Sequence, residues 1–183
     1  MSTQDRRIRK TRAVLKKSLI NLMKTKSVKH ITVKELCETA DINRGTFYLH
    51  YKDVFDMLEK LEDEFFNELT EIIEGYQLDL NAPKKPLLED LFIFTLDNID
   101  FCQVMLSEYG DIGFVKKLLL YLHSRLEAVY GKETERAEHY YSYIMYGCIG
   151  IIVNWLDTGA KESPETMAIF AEDIIMNGIS KFI

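Results

Sequence analysis

ITVKELCETADINRGTFYLHYKDVFDML, residues 31–58, contains two helix starts separated by one short connection. Thr32 and Glu35 form a T-x-x-E capping box, in which each side chain can serve the other residue's free backbone N–H. Ile31 and Leu36 stand where a hydrophobic staple closes. The helix begun there runs to Ala40-Asp41-Ile42, a three-residue connection, and Asn43 supplies the N-cap of a third helix reaching about His50, with Phe47 facing inward. Asp53 then caps a long fourth helix whose apolar positions Met57, Leu58, Leu61, Phe65, Leu69 and Ile72 continue to about Tyr76.

Upstream, about Asp5 to Lys26 reads as a supporting helix. Ile8, Leu15, Leu19, Leu22 and Met23 form its stripe, with Arg6, Arg9, Lys10, Lys16, Lys17 and Lys24 opposite. A supporting helix followed by two short helices with a tight connection is the helix-turn-helix arrangement. Its second short helix, NRGTFYLHY (residues 43–51), has the chemistry needed to read a major groove. Arg44 lies in the first turn, where a planar guanidinium can grip O6 and N7 of a guanine. Gly45 has no side chain to hold the helix off the duplex. Thr46 offers a hydroxyl to phosphate and a methyl to thymine, and Tyr48 and Tyr51 can place phenolic hydroxyls on phosphates. The helix N-terminus adds its own attraction for phosphate.

The charge distribution agrees. The net charge of the 183 residues is −6, yet residues 1–52 hold thirteen Lys/Arg against four Asp/Glu, or +9, and the remainder carries −15. A cationic head attracts phosphate while an acidic body is repelled by it. Arg6, Arg7, Arg9 and Lys10 make an arm able to follow phosphates or reach a minor groove. The expected domains are therefore 1–52, helix-turn-helix, and 53–183, a larger helical body for effector binding and dimerisation. The body reads as helices near 86–99, 101–108, 112–130, 134–158 and 164–182, with a loop at Asn81–Pro86. Ser163 and Pro164 supply the start signal of the last helix. The fold class is all-α, with about nine helices.

The 31–58 stretch resembles the DNA-binding domain of the TetR family of transcriptional regulators. Thr32, Leu36, Ala40, Ile42, Gly45, Thr46, Phe47, Tyr48, His50 and Tyr51 fall on that family's pattern. The resemblance implies that Thr32, Lys34 and Asn43 lie at the DNA backbone. It places Arg44, Gly45, Thr46, Tyr48, His50 and Tyr51 at the contacting surface. Many members carry a phosphate-holding lysine at the start of the fourth helix; here that position is Val54 and the nearest lysine is Lys52, so either Lys52 substitutes or one phosphate contact is missing. YYSYIMYGCIGIIVNWLDTGAKESPETM (residues 140–167) is similar to the C-terminal region of one TetR subgroup, through Gly147, Gly150, Trp155, Leu156, Gly159, Ser163, Pro164 and Glu165. That implies a homodimer through the last two helices and a small-molecule effector enclosed by the middle ones. Phe101, Met105, Tyr121, His123 and Trp155 are the residues named for that pocket.

Other classes find little in the chain. There is no nucleophile motif, Gly-rich phosphate loop or metal-ligand spacing, so neither an enzyme nor a cofactor or metal is expected. Cys37, Cys102 and Cys148 are an odd, scattered set, read as reduced thiols. The best apolar run, CIGIIVNWL (148–156), is about half of what a bilayer requires, and a cytoplasmic location is expected. A purely structural helical protein leaves the +9 head unexplained. The sequence thus points to a repressor on a double-stranded palindromic operator, released by an effector. An activator or co-regulator acting through a protein partner is the alternative, and the sequence does not separate the two.

Overall fold

The computed structural model describes residues 3–76, 87–130 and 135–177. Among these are nine α-helices and no strand: α1 (Thr3–Met23), α2 (Val33–Ala40), α3 (Arg44–Tyr48), α4 (Val54–Gly75), α5 (Leu87–Asp97), α6 (Ile99–Met105), α7 (Ile112–Tyr130), α8 (Glu135–Asp157) and α9 (Pro164–Asn177). The loop expected at Asn81–Pro86, Thr134, and the end of the last helix at Phe182 lie outside the described residues. No described helix is long and apolar enough to cross a membrane.

The chain divides into two compact units. The first comprises Met1–Phe66 with Val104–Asp111, and the second Asn67–Gln103 with Ile112–Ile183. The first unit is thus larger than the 1–52 segment suggested by charge. It takes in the start of α4 because Val54, Met57, Leu58 and Leu61 are buried on that helix.

In the first unit, α1 packs on α2 and α2 on α3. Leu15, Leu19, Ile20 and Met23 are the buried stripe of α1, whereas Ile8, expected in that stripe, is exposed. The helix also stops at Met23, short of Lys26, and a 3-10 turn follows at Val28–His30. That turn buries Val28 and leads into the extended Ile31. Only half of the capping box forms at α2. Thr32 Oγ1 accepts from the Glu35 N–H at 3.2 Å, while the Glu35 carboxylate pairs with Lys26 instead of turning back to Thr32. The end of α2 is set by Asp41, at φ 52° and ψ 47°, whose N–H reaches the carbonyls of Cys37 and Glu38. The left-handed conformation is one that a short polar side chain tolerates.

In the second unit, α5 lies along α9, and α8 contacts both α7 and α9. Its core is aromatic. Phe92 meets Trp155 edge-on at 5.3 Å, and Phe101 meets Phe114 likewise at 5.8 Å. The Trp155 indole N–H donates to the Glu162 carbonyl at 3.2 Å, fastening the α8–α9 connection to the core. Ser163 starts α9 as expected, its Oγ accepting from the Thr166 N–H at 3.2 Å.

Candidate nucleic-acid interface

The sequence of α3 dictates its presentation. Asn43, extended at φ −67° and ψ 140°, caps the helix by accepting the Gly45 N–H on Oδ1 at 2.7 Å. A Cβ on Gly45 would lie 3.2 Å from that same oxygen, so glycine spares the cap. Phe47 is fully buried and is braced by Tyr48 and Tyr51, with ring centroids 5.5 and 5.6 Å away. Burying one face of a five-residue helix turns the others outward. Asn43, Arg44 and Gly45 are exposed, Tyr48 is 57% exposed, and Thr46 and His50 are half-buried.

Arg44 and Lys52 carry exposed cations that make no ion pair among the described residues. Burial pushes the Cys37 thiol above its ordinary pKa, and the nearby Arg44 charge opposes that shift. The positive charge of α3 therefore sits close to the end of α2. On α2, Thr32 and Lys34 are exposed, and Lys34 is held only loosely by Glu38 at 3.9 Å.

Tyr51 corrects the sequence reading. It is 3% exposed, and its hydroxyl accepts from the Arg12 guanidinium. Its place is in the packing of the head, because α3 ends at Tyr48 and the following turn swings residue 51 inward. The start of α4 also differs from expectation. Lys60 sits over the Tyr51 ring at 5.3 Å and donates to the His50 carbonyl at 3.3 Å and to Asp56 Oδ2 at 2.8 Å. A lysine thus closes the carbonyl end of the α3 turn while Lys52 stays outside. Asp56 also accepts the Lys52 backbone N–H at 2.9 Å. Its carboxyl is held below the usual range chiefly by the Lys60 hydrogen bond, with the Lys52 N–H next.

Leu49 escaped the sequence reading. It is 80% exposed beside Tyr48 at the C-cap of α3, and an apolar side chain this exposed there suits a thymine methyl or a deoxyribose. Its signal was a bulky apolar residue directly after a helix whose inner face Phe47 already fills.

The five residues named for an effector pocket fall in both units. Met105 is buried in the first unit, and the other four belong to the second. There, Phe101 and Trp155 are buried in the aromatic core, and Tyr121 and His123 are half-buried on α7. A separate open groove of 410 Å³ lies between α4 and α5, lined by Ile72, Tyr76, Ile93 and Phe94 with Glu71, Asp90 and Asp97. None of the five reaches it. Aromatic content alone did not reveal which rings pack on each other.

Comparison with known proteins agrees with this architecture. Residues 84–177 match the TetR C-terminal family described as transcriptional regulator C-terminal region. The chain is 28% identical over 167 residues to YxbF of Bacillus subtilis, an uncharacterised HTH-type transcriptional regulator, in a match covering 85% of this chain and 42% of the relative. This chain therefore spans less than half the length of that relative. Among solved structures, FadR of Bacillus subtilis, in complex with stearoyl-CoA, superposes with TM-score 0.65 at 16% identity, covering 91% of this chain and 98% of that one. A TetR transcriptional regulator of Streptococcus agalactiae gives 0.62 at 20% identity, covering 94% and 97%. At these identities the likeness is one of fold.

Proposed function

The chain belongs to the TetR family of transcriptional regulators, and we propose that it acts as a cytoplasmic homodimeric repressor, releasing a palindromic operator when a small molecule binds its second unit. One observation carries the DNA-binding reading. A short helix with a buried Phe47 turns Arg44, Gly45 and Tyr48 outward from a segment carrying +9. The fit is to the major groove, where Arg44 reads a base edge, Thr46, Tyr48 and Leu49 line the contact, and Thr32, Lys34, Asn43, His50 and Lys52 stay with the backbone.

Dimerisation through α8 and α9 is supported by surface left uncovered within one chain. Tyr143, Gly147, Gly150 and Asn154 recur at helical spacing on α8 and are all exposed, flanked by the exposed Tyr140 and Tyr146. On α9, Ile169, Phe170 and Met176 are exposed as well. Paired subunits would set the two α3 helices about 34–36 Å apart, one turn of duplex DNA.

Effector binding by the second unit is supported by polar atoms in need of partners. The Tyr121 hydroxyl and the Arg125 Nε, one turn apart on α7, are buried without a hydrogen bond among the described residues. Buried polar groups are seldom left so, and a few such groups amid apolar walls characterise ligand sites. The stearoyl-CoA complex of the structurally similar FadR makes acyl thioesters a natural first probe.

Selection of bound duplexes from a random library tests the reading. Recovery of an inverted repeat with half-sites one helical turn apart is the expected result. No enrichment over input by a folded, dimeric sample would overturn it.

A further inference from the structure

Metal-ligand spacing is invisible along the chain, yet the fold assembles a donor cluster in the second unit. His123 and Glu127 stand one turn apart on α7, and Glu138 faces them from α8. The His123 Nε2 lies 2.9 Å from Glu138 Oε2, and its Nδ1 lies 3.9 Å from Glu127 Oε2. One donor atom from each of the three falls within 4.8 Å of the other two. Tyr141 meets the imidazole edge-on, with ring centroids 6.0 Å apart at 85°, and so limits its rotation. All three residues are half-buried.

A neutral imidazole has one N–H and one lone pair, so it cannot donate to carboxylates at both of its nitrogens. With neutral histidine the three groups carry two negative charges, and protonation of the ring leaves one. A divalent cation leaves none. Ligands on one tetrahedral zinc ion at bond lengths of about 2.0–2.2 Å stand roughly 3.3–3.6 Å apart, so the 2.9 Å His123–Glu138 contact has to open by only a few tenths of an ångström to admit the ion. Glu127 now faces the other imidazole nitrogen, Nδ1, and would join an ion on Nε2 by turning its side chain.

We propose that His123, Glu127 and Glu138 form a binding site for a divalent transition-metal ion of the zinc class, with water completing the coordination. One imidazole with two carboxylates is a donor set for such ions, and it ties α7 to α8 across fifteen residues of sequence. The site is independent of the DNA-binding reading, since it requires nothing of α3.

The test uses the full chain, first stripped with chelator, then dialysed against zinc and separately against manganese. Metal content and calorimetry give stoichiometry and affinity. One zinc per chain is expected, with the melting temperature raised on loading and restored by chelator. Glu138→Gln keeps a hydrogen-bonding group and should weaken zinc at least tenfold, as should Glu127→Gln and His123→Ala, with circular dichroism unchanged. Absence of stoichiometric metal from the folded parent would overturn the site. Equal zinc affinity in folded Glu138→Gln and His123→Ala would do so too, because the ion would then be held elsewhere, for example by the cysteines.

Discussion

The Arg12 guanidinium on α1 donates to the Tyr51 hydroxyl at 3.3 Å, joining residues 39 apart in the sequence. The same guanidinium pairs with Glu64, so one side chain links α1, the turn after α3, and α4 within the first unit. Tyr51 is thereby committed to positioning α3, and the consequence is measurable. Tyr51→Phe should lower stability by about 1 kcal/mol, the net worth of a single hydrogen bond at a partly exposed donor. It should leave the salt dependence of DNA binding unchanged. Urea denaturation checks the first, and binding across a salt series the second. A shallower salt slope would return Tyr51 to the phosphate contacts.

The reading helix and the cation beside it should separate in their effects. Arg44→Ala is expected to cost about 1–3 kcal/mol on the selected operator and to relax preference at one base pair per half-site. Lys52→Ala should weaken all duplexes alike and flatten the logarithmic salt slope by about one unit per subunit, as one phosphate contact is lost. Titrating both variants against the operator and a shuffled duplex decides the matter. If Arg44→Ala lost equally on both duplexes, the base-reading role would be wrong.

These roles were unequally legible. Thr32, Asn43 and Ser163 cap their helices as read, because a cap is a contract between residues two or three apart. Phe47 was legible for the same reason, as the one bulky residue on the inner side of a five-residue helix. Tyr51 was not, since its direction is settled by Arg12, far away in sequence. The Lys60 interaction with the His50 carbonyl was missed on similar grounds, since it joins residues ten apart across the turn into α4. In the second unit, helices were readable from periodicity, but ring partners such as Phe92 with Trp155 depend on how α5 and α8 lie, which no local pattern encodes.

Tyr76 predicts a pH response in the second unit. Its hydroxyl donates to Asp90 at 3.0 Å. Burial first, and then that hydrogen bond, push its pKa from 10.0 to about 12. The unfolded chain therefore releases this proton before the folded one does. Its stabilising contribution is complete below pH 10 and is lost as the pH rises towards about 12. In Tyr76→Phe the decline of stability over that window should be shallower, and the phenolate difference spectrum against the parent should show one tyrosine titrating late. A difference spectrum centred near pH 10 would contradict the Asp90 contact.

Gly147 and Gly150 offer the sharpest test of the assembly. A Cβ built on either meets no atom within 4 Å, so neither glycine is there to admit a neighbour among the described residues. Within a helix, glycine costs about 0.8–1.0 kcal/mol relative to alanine, a cost that demands some other use. Close approach of a second α8 is such a use. Gly147→Leu should then leave the isolated subunit at least as stable, through better helix propensity, while separating the dimer. Sedimentation should show monomers at concentrations where the parent is dimeric. Affinity for the full palindrome should fall towards that for a single half-site, because the two α3 helices no longer bind as a unit. Gly150→Leu gives a second chance to see the effect, one turn along the same face. Unchanged sedimentation of both variants would remove α8 from the subunit contact and leave these glycines without a reason.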